Sequence, residues 1–396
     1  MGGSSRVVSS ALPGLPDRDL IVESVDVLPL RLRLNAPFVV AGGRRTHIET
    51  VLVRLRADDG SIGWGEAAPD EEVTGESVAE SERVLRDLVA PEMVGLDLSD
   101  PGATEAFVDG CAPTAPGARA AVDIAVHDLI ARRAGVPLWR YLVGVASGEA
   151  AFDDGSAPPL RISRVVSMAA PADMAAAARR HVEAGVSTVK LKVGGPQGWS
   201  LDVERVAAVR AAVGPDVGIK VDVNQGWPTV DVAVAALERM ARSRPLFVEQ
   251  PIDRRDLEGL AEMRRRVPEV RVMADEAVRG ADDVDRIVGL GAADLVNLKI
   301  MRIGGLRATL AAAERAAAAG IGVQIGTMLE SSVGSAAGLH LAAALSSLAD
   351  GALAGVEMGG PLMLAQDVSD LVLCYDGETV ALPTGPGLGV DPVLPS

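Results

Sequence analysis

The chain is short of the residues that soft-metal and disulfide chemistry need: two cysteines, Cys111 and Cys374, and four histidines in 396 residues. The cysteines stand far apart with no partner at metal-ligand spacing, so they read as buried thiols of a protein in the reducing cytoplasm. His127, His181 and His340 fall in helical runs without ligand spacing and read as structural or surface groups. Positive charge is scarce as well. Lys and Arg number 38 against 54 Asp and Glu, a formal charge of −16, which argues against binding nucleic acid or an anionic membrane through bulk charge. A small anionic substrate is not excluded, because it responds to the local site. Long apolar runs are missing too. The start, Met1-Gly-Gly-Ser-Ser, has no signal-peptide core. The one uncharged run near bilayer length, Ser331 to Ala349, holds His340, serines and glycines and reads as a buried helix. No dinucleotide fingerprint follows a first strand; Gly194-Gly195 lacks the remaining spacing and the acidic partner.

What remains is an Ala- and Gly-rich chain, 48% hydrophobic, long enough for two domains of the α/β class. Residues 1–20 are rich in Ser, Gly and Pro and read as a disordered tail. Residues 21–35 alternate, as at Leu28, Leu30, Leu32 and Leu34. Ile48 to Leu55 and Ser61 to Ala67 alternate again, which predicts a three-stranded antiparallel meander. The loop from Phe38 to His47 between the first two is glycine-containing and basic, a candidate lid. Residues 76–93 and 117–135 have helical periodicity. After a Gly/Ser/Asp/Pro linker at about 144–159, eight short apolar strands alternate with Ala-rich helices, which predicts parallel βα units closed into a barrel.

Such a barrel places its active site at the carboxyl ends of the strands, and from the second onward each strand here ends on or leads to a charge. The second ends with Lys190 and Lys192. The third carries Asp222, the fourth Glu249, the fifth Asp275 and the sixth Lys299, at steps of about 25–30 residues, the length of one βα unit. The seventh leads to Glu330 and the eighth to Glu357. Lys190 and Lys192 are two apart, so both ammonium groups face one way; mutual repulsion and burial then lower their pKa towards that of a base at pH 7. Asp222, Glu249 and Asp275 are hard oxygen donors without His or Cys beside them, which selects Mg²⁺, with Mn²⁺ as the alternative, over zinc or copper. A divalent ion can stabilise the enediolate left when a proton is removed beside a carboxylate. One lysine takes that proton, and a second on the opposite face, half a barrel away, returns it with inversion.

These residues lie in VKLKVGG (Val189–Gly195), DVNQGW (Asp222–Trp227), VEQP (Val248–Pro251), ADE (Ala274–Glu276), NLKIMRIGGL (Asn297–Leu306) and GTMLESSVG (Gly326–Gly334). With GWGEAA (Gly63–Ala68) and ARAAVDIAVHDL (Ala118–Leu129), the set resembles the enolase superfamily in its muconate-lactonizing subgroup, over nearly the whole chain from about residue 21. The resemblance implies a (β/α)7β modified TIM barrel over 146–360, an α+β capping domain over 21–145, and a segment over 361–396 that returns to that domain. It implies Mg²⁺ on Asp222, Glu249 and Asp275, and Lys192 and Lys299 as the acid/base pair. Lys190 would lower the pKa of Lys192 and touch the substrate carboxylate. Asn224 and Glu276 would hold ligands or lysines in place.

The resemblance also frames the substrate. Dipeptide epimerases similar to this chain carry Asp-x-Asp after the eighth strand, where this chain has Glu357-Met358-Gly359, closer to the cycloisomerases. The reading is racemisation or epimerisation of an amino-acid derivative or dipeptide; the alternatives are muconate-like cycloisomerisation, syn-dehydration or a catalytically dead binding barrel. Met328, Glu330, Glu357 and Arg44, with Arg45 and His47 of the lid, are candidate contacts to a small carboxylate substrate. Relatives are often even-numbered assemblies, which allows a homo-oligomer.

Overall fold

The computed structural model describes residues 19–147, 157, 159–369 and 373–393. Most of the tail expected over 1–20, and of the linker expected at 144–159, lies outside these. Leu20, expected in the tail, is buried at 1% exposure.

Alternating apolar residues form the first sheet. Strands β1 (Val22–Val40), β2 (Gly43–Ala57) and β3 (Ile62–Ala67) run antiparallel in sequence order. Val51, Val53 and Leu55 are fully buried within it. β1 and β2 extend well past the expected meander into a long hairpin, because pairing resumes at Phe38–Arg45 after an irregular stretch. The candidate lid is the end of this hairpin, and Val39 accepts a hydrogen bond from Met168 N at 3.0 Å on the barrel rim. The helix Pro116–Arg133 packs across β3. A Cβ on Gly65 would stand 1.9 Å from the Ala121 carbonyl, so only glycine allows that approach. Helices at Pro101–Gly110 and Leu138–Ser147 complete this part.

The second half is the barrel. After a short β4 (Leu160–Arg161) come β5 (Arg164–Val166), β6 (Thr188–Lys192), β7 (Gly218–Asp222), β8 (Phe247–Glu249), β9 (Val272–Ala274), β10 (Leu295–Leu298), β11 (Gly322–Ile325) and β12 (Leu353–Val356). These eight form one parallel sheet in chain order. It closes on itself by a single parallel bridge between Ile162 and Val356. A major helix follows each of the first seven strands and none separates β12 from β5, so the fold is a (β/α)7β barrel. Both faces of the strands are covered, which is why they read as continuous apolar runs.

The run from Ser331 to Ala349 forms the buried helix Ser332–Leu348, and no helix among the described residues is long and apolar enough to cross a membrane. Beyond β12, β13 (Cys374–Asp376) pairs with β14 (Thr379–Ala381), and β14 pairs with β4. Cys374 is therefore exposed, unlike the buried Cys111 and contrary to expectation. The chain then reaches the helix Pro116–Arg133, where Leu388 N donates to Asp128 at 2.6 Å and Arg132 donates to Val390 O at 2.8 Å. His340 bonds Leu388 O at 3.1 Å, and His127 bonds Tyr141 at 3.2 Å; both are structural.

Candidate active site

The parallel register puts the charged strand ends side by side. Lys192 pairs with Asp222, and Asp222 with Glu249, as direct neighbours across the ladders. Asp222, Glu249 and Asp275 are all fully buried. Above them opens a cavity of about 490 Å³, lined among others by Lys190, Lys192, Lys299, Asn224, Glu276 and Glu357. Phe38, Val40, Ala41 and Gly42 of the hairpin form part of its wall. The Lys192 ammonium lies 6.0 Å from the centre of the Phe38 ring.

Lys190 and Lys192 face the same way, and both reach Asp222 Oδ2, at 3.0 and 2.6 Å. Lys190 also lies 2.8 Å from Glu249 and 2.8 Å from Glu357. Burial pulls its pKa down, but Asp222, Glu249 and Glu357 outweigh burial and hold it well above the usual lysine range. The mutual lowering expected of two adjacent lysines is thus reversed at Lys190, because each ammonium lies on carboxylates. On the opposite wall Lys299 lies 2.8 Å from Asp275 Oδ2. Burial lowers the Lys299 pKa, and Asp275 more than compensates, leaving it raised. β6 and β10 are four strands apart in a barrel of eight, so the two lysines face each other across the cavity.

The acids carry the opposite strain. Burial, then Asp222, pushes Glu249 up to about 8. Burial and Asp275 push Glu276 up to about 7. Against its burial, Asp275 is held far below the usual carboxylate range by Lys299 and Arg302. As the side chains stand, no three His, Cys, Asp or Glu among the described residues are spaced to hold one ion. Lys190 stands between Asp222 and Glu249, and Asp275 turns to Lys299 and Arg302. The donor set nonetheless suits a hard divalent cation: three buried carboxylates on consecutive strand ends, with no nitrogen or sulfur ligand. Glu249 Oε2 points the same way, since it lies within ion-pair reach of Lys190 but makes no hydrogen bond.

Other expected residues sort differently. Asn224 holds a left-handed φ of 46° directly after β7, accepts from Lys192 at 3.3 Å and donates to Glu276 at 3.2 Å. Met328 and Glu357 line the cavity. Glu330 does not; it accepts from Met328 N at 2.7 Å and from the Thr327 hydroxyl, and so closes its own loop. Arg44 is exposed and pairs with Val39 across the hairpin, away from the cavity. Arg45, one residue on, lines it and ion-pairs Asp70. His47 lies in a separate pocket.

With this geometry the likeness can be measured. Residues 23–144 match the N-terminal domain of the mandelate racemase / muconate lactonizing enzyme family, and residues 173–394 match the enolase C-terminal domain-like family. The chain belongs to the mandelate racemase / muconate lactonizing enzyme family of the enolase superfamily. Within it, the chain is 32% identical to an N-succinyl-L-Arg/Lys racemase of Bacillus cereus, over 93% of this chain and 95% of that one. The solved structure of that racemase superposes with a TM-score of 0.86, over 94% of this chain and 96% of that one. A dipeptide epimerase of Enterococcus faecalis, complexed with Mg and the dipeptide L-Leu-L-Tyr, superposes at 0.84 with 30% identity, covering 93% of this chain and 99% of that one. A muconate cycloisomerase of Rhodococcus opacus is 31% identical over 94% of this chain and 96% of its own length. The family's racemases, epimerases and cycloisomerases make this chain an isomerase of the superfamily.

Sequence reasoning passed over three buried polar residues. Arg302 donates to Asp275 at 2.6 Å and to the carbonyls of Asn297 and Val278. Asn297 donates to Glu249 at 2.8 Å. Lys220 reaches Gln324 at 2.6 Å and Ser163 at 3.2 Å inside the barrel. Arg302 and Asn297 sit in the NLKIMRIGGL run already singled out, and Lys220 sits two residues before Asp222, on the same strand face.

Proposed function

We propose that the protein removes the proton beside a substrate carboxylate and returns it to the other face, racemising or epimerising an amino-acid derivative or dipeptide. The observation that carries this is the pair Lys192 and Lys299 on opposite walls of one cavity. A single base would suffice for elimination or lactonisation; inversion needs a donor on each face. Asp222, Glu249 and Asp275 would hold Mg²⁺, which supplies charge stabilisation to the carboxylate oxygens as negative charge develops there.

The chain's own residues do the rest. Lys192 or Lys299, according to the enantiomer bound, takes the α-proton, and the other gives one back. Asn224 and Asp222 fix the Lys192 ammonium; Asp275 fixes that of Lys299. Lys190 neutralises the acids beneath the substrate. The apolar wall of Phe38, Val40 and Ala41, with Met328 and Leu329, excludes water from the carbanion. Glu357 is committed to Lys190 at 2.8 Å, and the position two residues on is Gly359. No pair of free carboxylates waits there for an ammonium, which favours an N-acylated amino acid over a free dipeptide.

The same lone glutamate supports a second reading, cycloisomerisation of a muconate-like dicarboxylate, in line with the R. opacus relative. Chiral analysis of a library of N-acyl amino acids and dipeptides, run beside cis,cis-muconate, tests both. Loss of optical purity in the acyl series supports the racemase, and lactone formation with no racemisation overturns it.

A further inference from the structure

The ARAAVDIAVHDL and NLKIMRIGGL stretches, far apart in sequence, meet in space. Arg119 and Asp123 lie one turn apart on the helix Pro116–Arg133 of the N-terminal domain. Both reach the barrel segment Ile303-Gly304-Gly305-Leu306. Arg119 donates from Nε to the Gly304 carbonyl at 3.1 Å and from Nη2 to the Ile303 carbonyl at 3.0 Å. Asp123, 2% exposed, accepts from Leu306 N. The helix Leu306–Ala318 has no side-chain cap from its own N-cap, Gly305, so this carboxylate of the other domain caps it. Gly304 and Gly305 hold φ of 98° and 139°, and a Cβ on them would run into Arg119 and Asp123 respectively. The segment is shaped to these two side chains.

That segment is tied to the site. One helical turn, Ile300–Ile303, joins it to Lys299, whose carbonyl accepts from Ile303 N at 3.0 Å. Arg302, which holds Asp275 at 2.6 Å, sits in the same turn. A shift of the segment therefore carries Lys299 and the partner of Asp275 with it. Lys192 is braced differently, from inside the barrel. Gly194 N and Trp227 Nε1 both donate to Asp202 at 3.0 Å, and Asp202 ion-pairs Arg205 at 2.8 Å. The two amines hang on separate braces, one across the domain interface and one within the barrel.

We infer that Arg119 and Asp123 are positioning residues for Lys299: the N-terminal domain aims one of the two amines, and Asp202 aims the other. The inference rests on the two-base reading above and adds to it what holds each face. The chain's four lysines, Lys190, Lys192, Lys220 and Lys299, all belong to the barrel, so ¹³Cε-lysine labelling reports on the site alone.

The test measures deuterium entry in D₂O from each enantiomer of an N-acyl amino acid that the Mg²⁺-loaded full chain racemises. Lys299→Ala identifies the enantiomer that Lys299 deprotonates. Arg119→Met and Asp123→Ala should each lower kcat for that enantiomer about tenfold, leave its KM unchanged and spare the other enantiomer. Asp123→Asn, which keeps an oxygen for Leu306 N, should recover most of the loss. Asp202→Asn, which sets an NH₂ against one of its donors, should show the opposite bias. Should Asp123→Ala not fold, the half-buried Arg119 carries the test. An equal loss on both enantiomers in Arg119→Met, no loss on either, or the same bias in Asp202→Asn would overturn the assignment. If the wild type exchanges one enantiomer or none, the two-base reading fails, and the positioning is judged by the Lys299 ¹³Cε signal in NMR, assigned with Lys299→Ala. Movement of that signal in Arg119→Met with the Lys192 signal in place retains it; no movement, or equal movement of both, removes it.

Discussion

Lys192 and Lys299 each sit on a different carboxylate of the same cluster, Lys192 at 2.6 Å from Asp222 and Lys299 at 2.8 Å from Asp275. The acids that would hold the cation therefore also aim the two amines. Loss of one acid disturbs charge and geometry together, and the effects of the lysines and acids should not be additive.

Cation binding can be read without turnover. Adding Mg²⁺ to chelator-treated protein should raise the thermal midpoint, because a ligand that binds only the folded state stabilises it by about 2.7 kcal/mol at a hundred times its Kd. Asp222→Asn and Glu249→Gln should lose most of that increment in differential scanning fluorimetry. An equal increment in wild type and both variants would place the ion elsewhere.

Arg302 is 2% exposed and holds Asp275 at 2.6 Å. Arg302→Met leaves that carboxylate with Lys299 as its remaining cation, and removing one partner of a buried pair costs about 3–5 kcal/mol. Denaturant titration should show a loss of this size, with Mg²⁺ restoring part of it by sharing the charge of Asp275. A loss below about 1 kcal/mol would show that Arg302 carries little of the site's balance.

Glu66, on β3, ties the N-terminal sheet to the start of the helix Ser332–Leu348. It accepts from Ser331 N, from the Ser331 hydroxyl at 2.6 Å and from Gly334 N at 2.8 Å. Burial outweighs these bonds and pushes its carboxyl up from 4.5 to about 7. Between those values the folded protein keeps a proton that the unfolded chain has released. Stability contributed by Glu66 is therefore full below about pH 4.5 and is lost as pH rises to 7, by something on the order of 3 kcal/mol. Glu66→Gln should flatten the stability profile between pH 5 and 7 relative to wild type; parallel profiles would contradict this.

The barrel and its charged strand ends were legible because both are local. A short apolar run ending in a charge repeats once per βα unit, and the parallel register turns that phase into adjacency. The partners of those charges were not legible. Arg302 meets Asp275 across 27 positions, and Asn297 meets Glu249 across 48, with no local pattern to join them. Arg44 and Arg45 show the same limit at the scale of one residue. Both were candidate contacts of the lid, and the hairpin's irregular pairing after Arg33 leaves Arg45 on the cavity and Arg44 exposed. The hairpin itself ran longer than expected because pairing resumed beyond Asn35-Ala36-Pro37. Helix Leu138–Ser147 escaped notice because it is a short run between a proline and a Gly-rich stretch.

Solvent exchange at the substrate α-carbon tests the central claim most directly. In D₂O, with an N-acyl amino acid that the enzyme racemises, deuterium should enter from both enantiomers. Lys192→Ala and Lys299→Ala should each abolish exchange from one enantiomer, about 10³-fold, and spare the other. Exchange from a single enantiomer in the wild type, or loss of both with Lys192→Ala while Lys299→Ala has no effect, would leave one base in place of two and contradict the account.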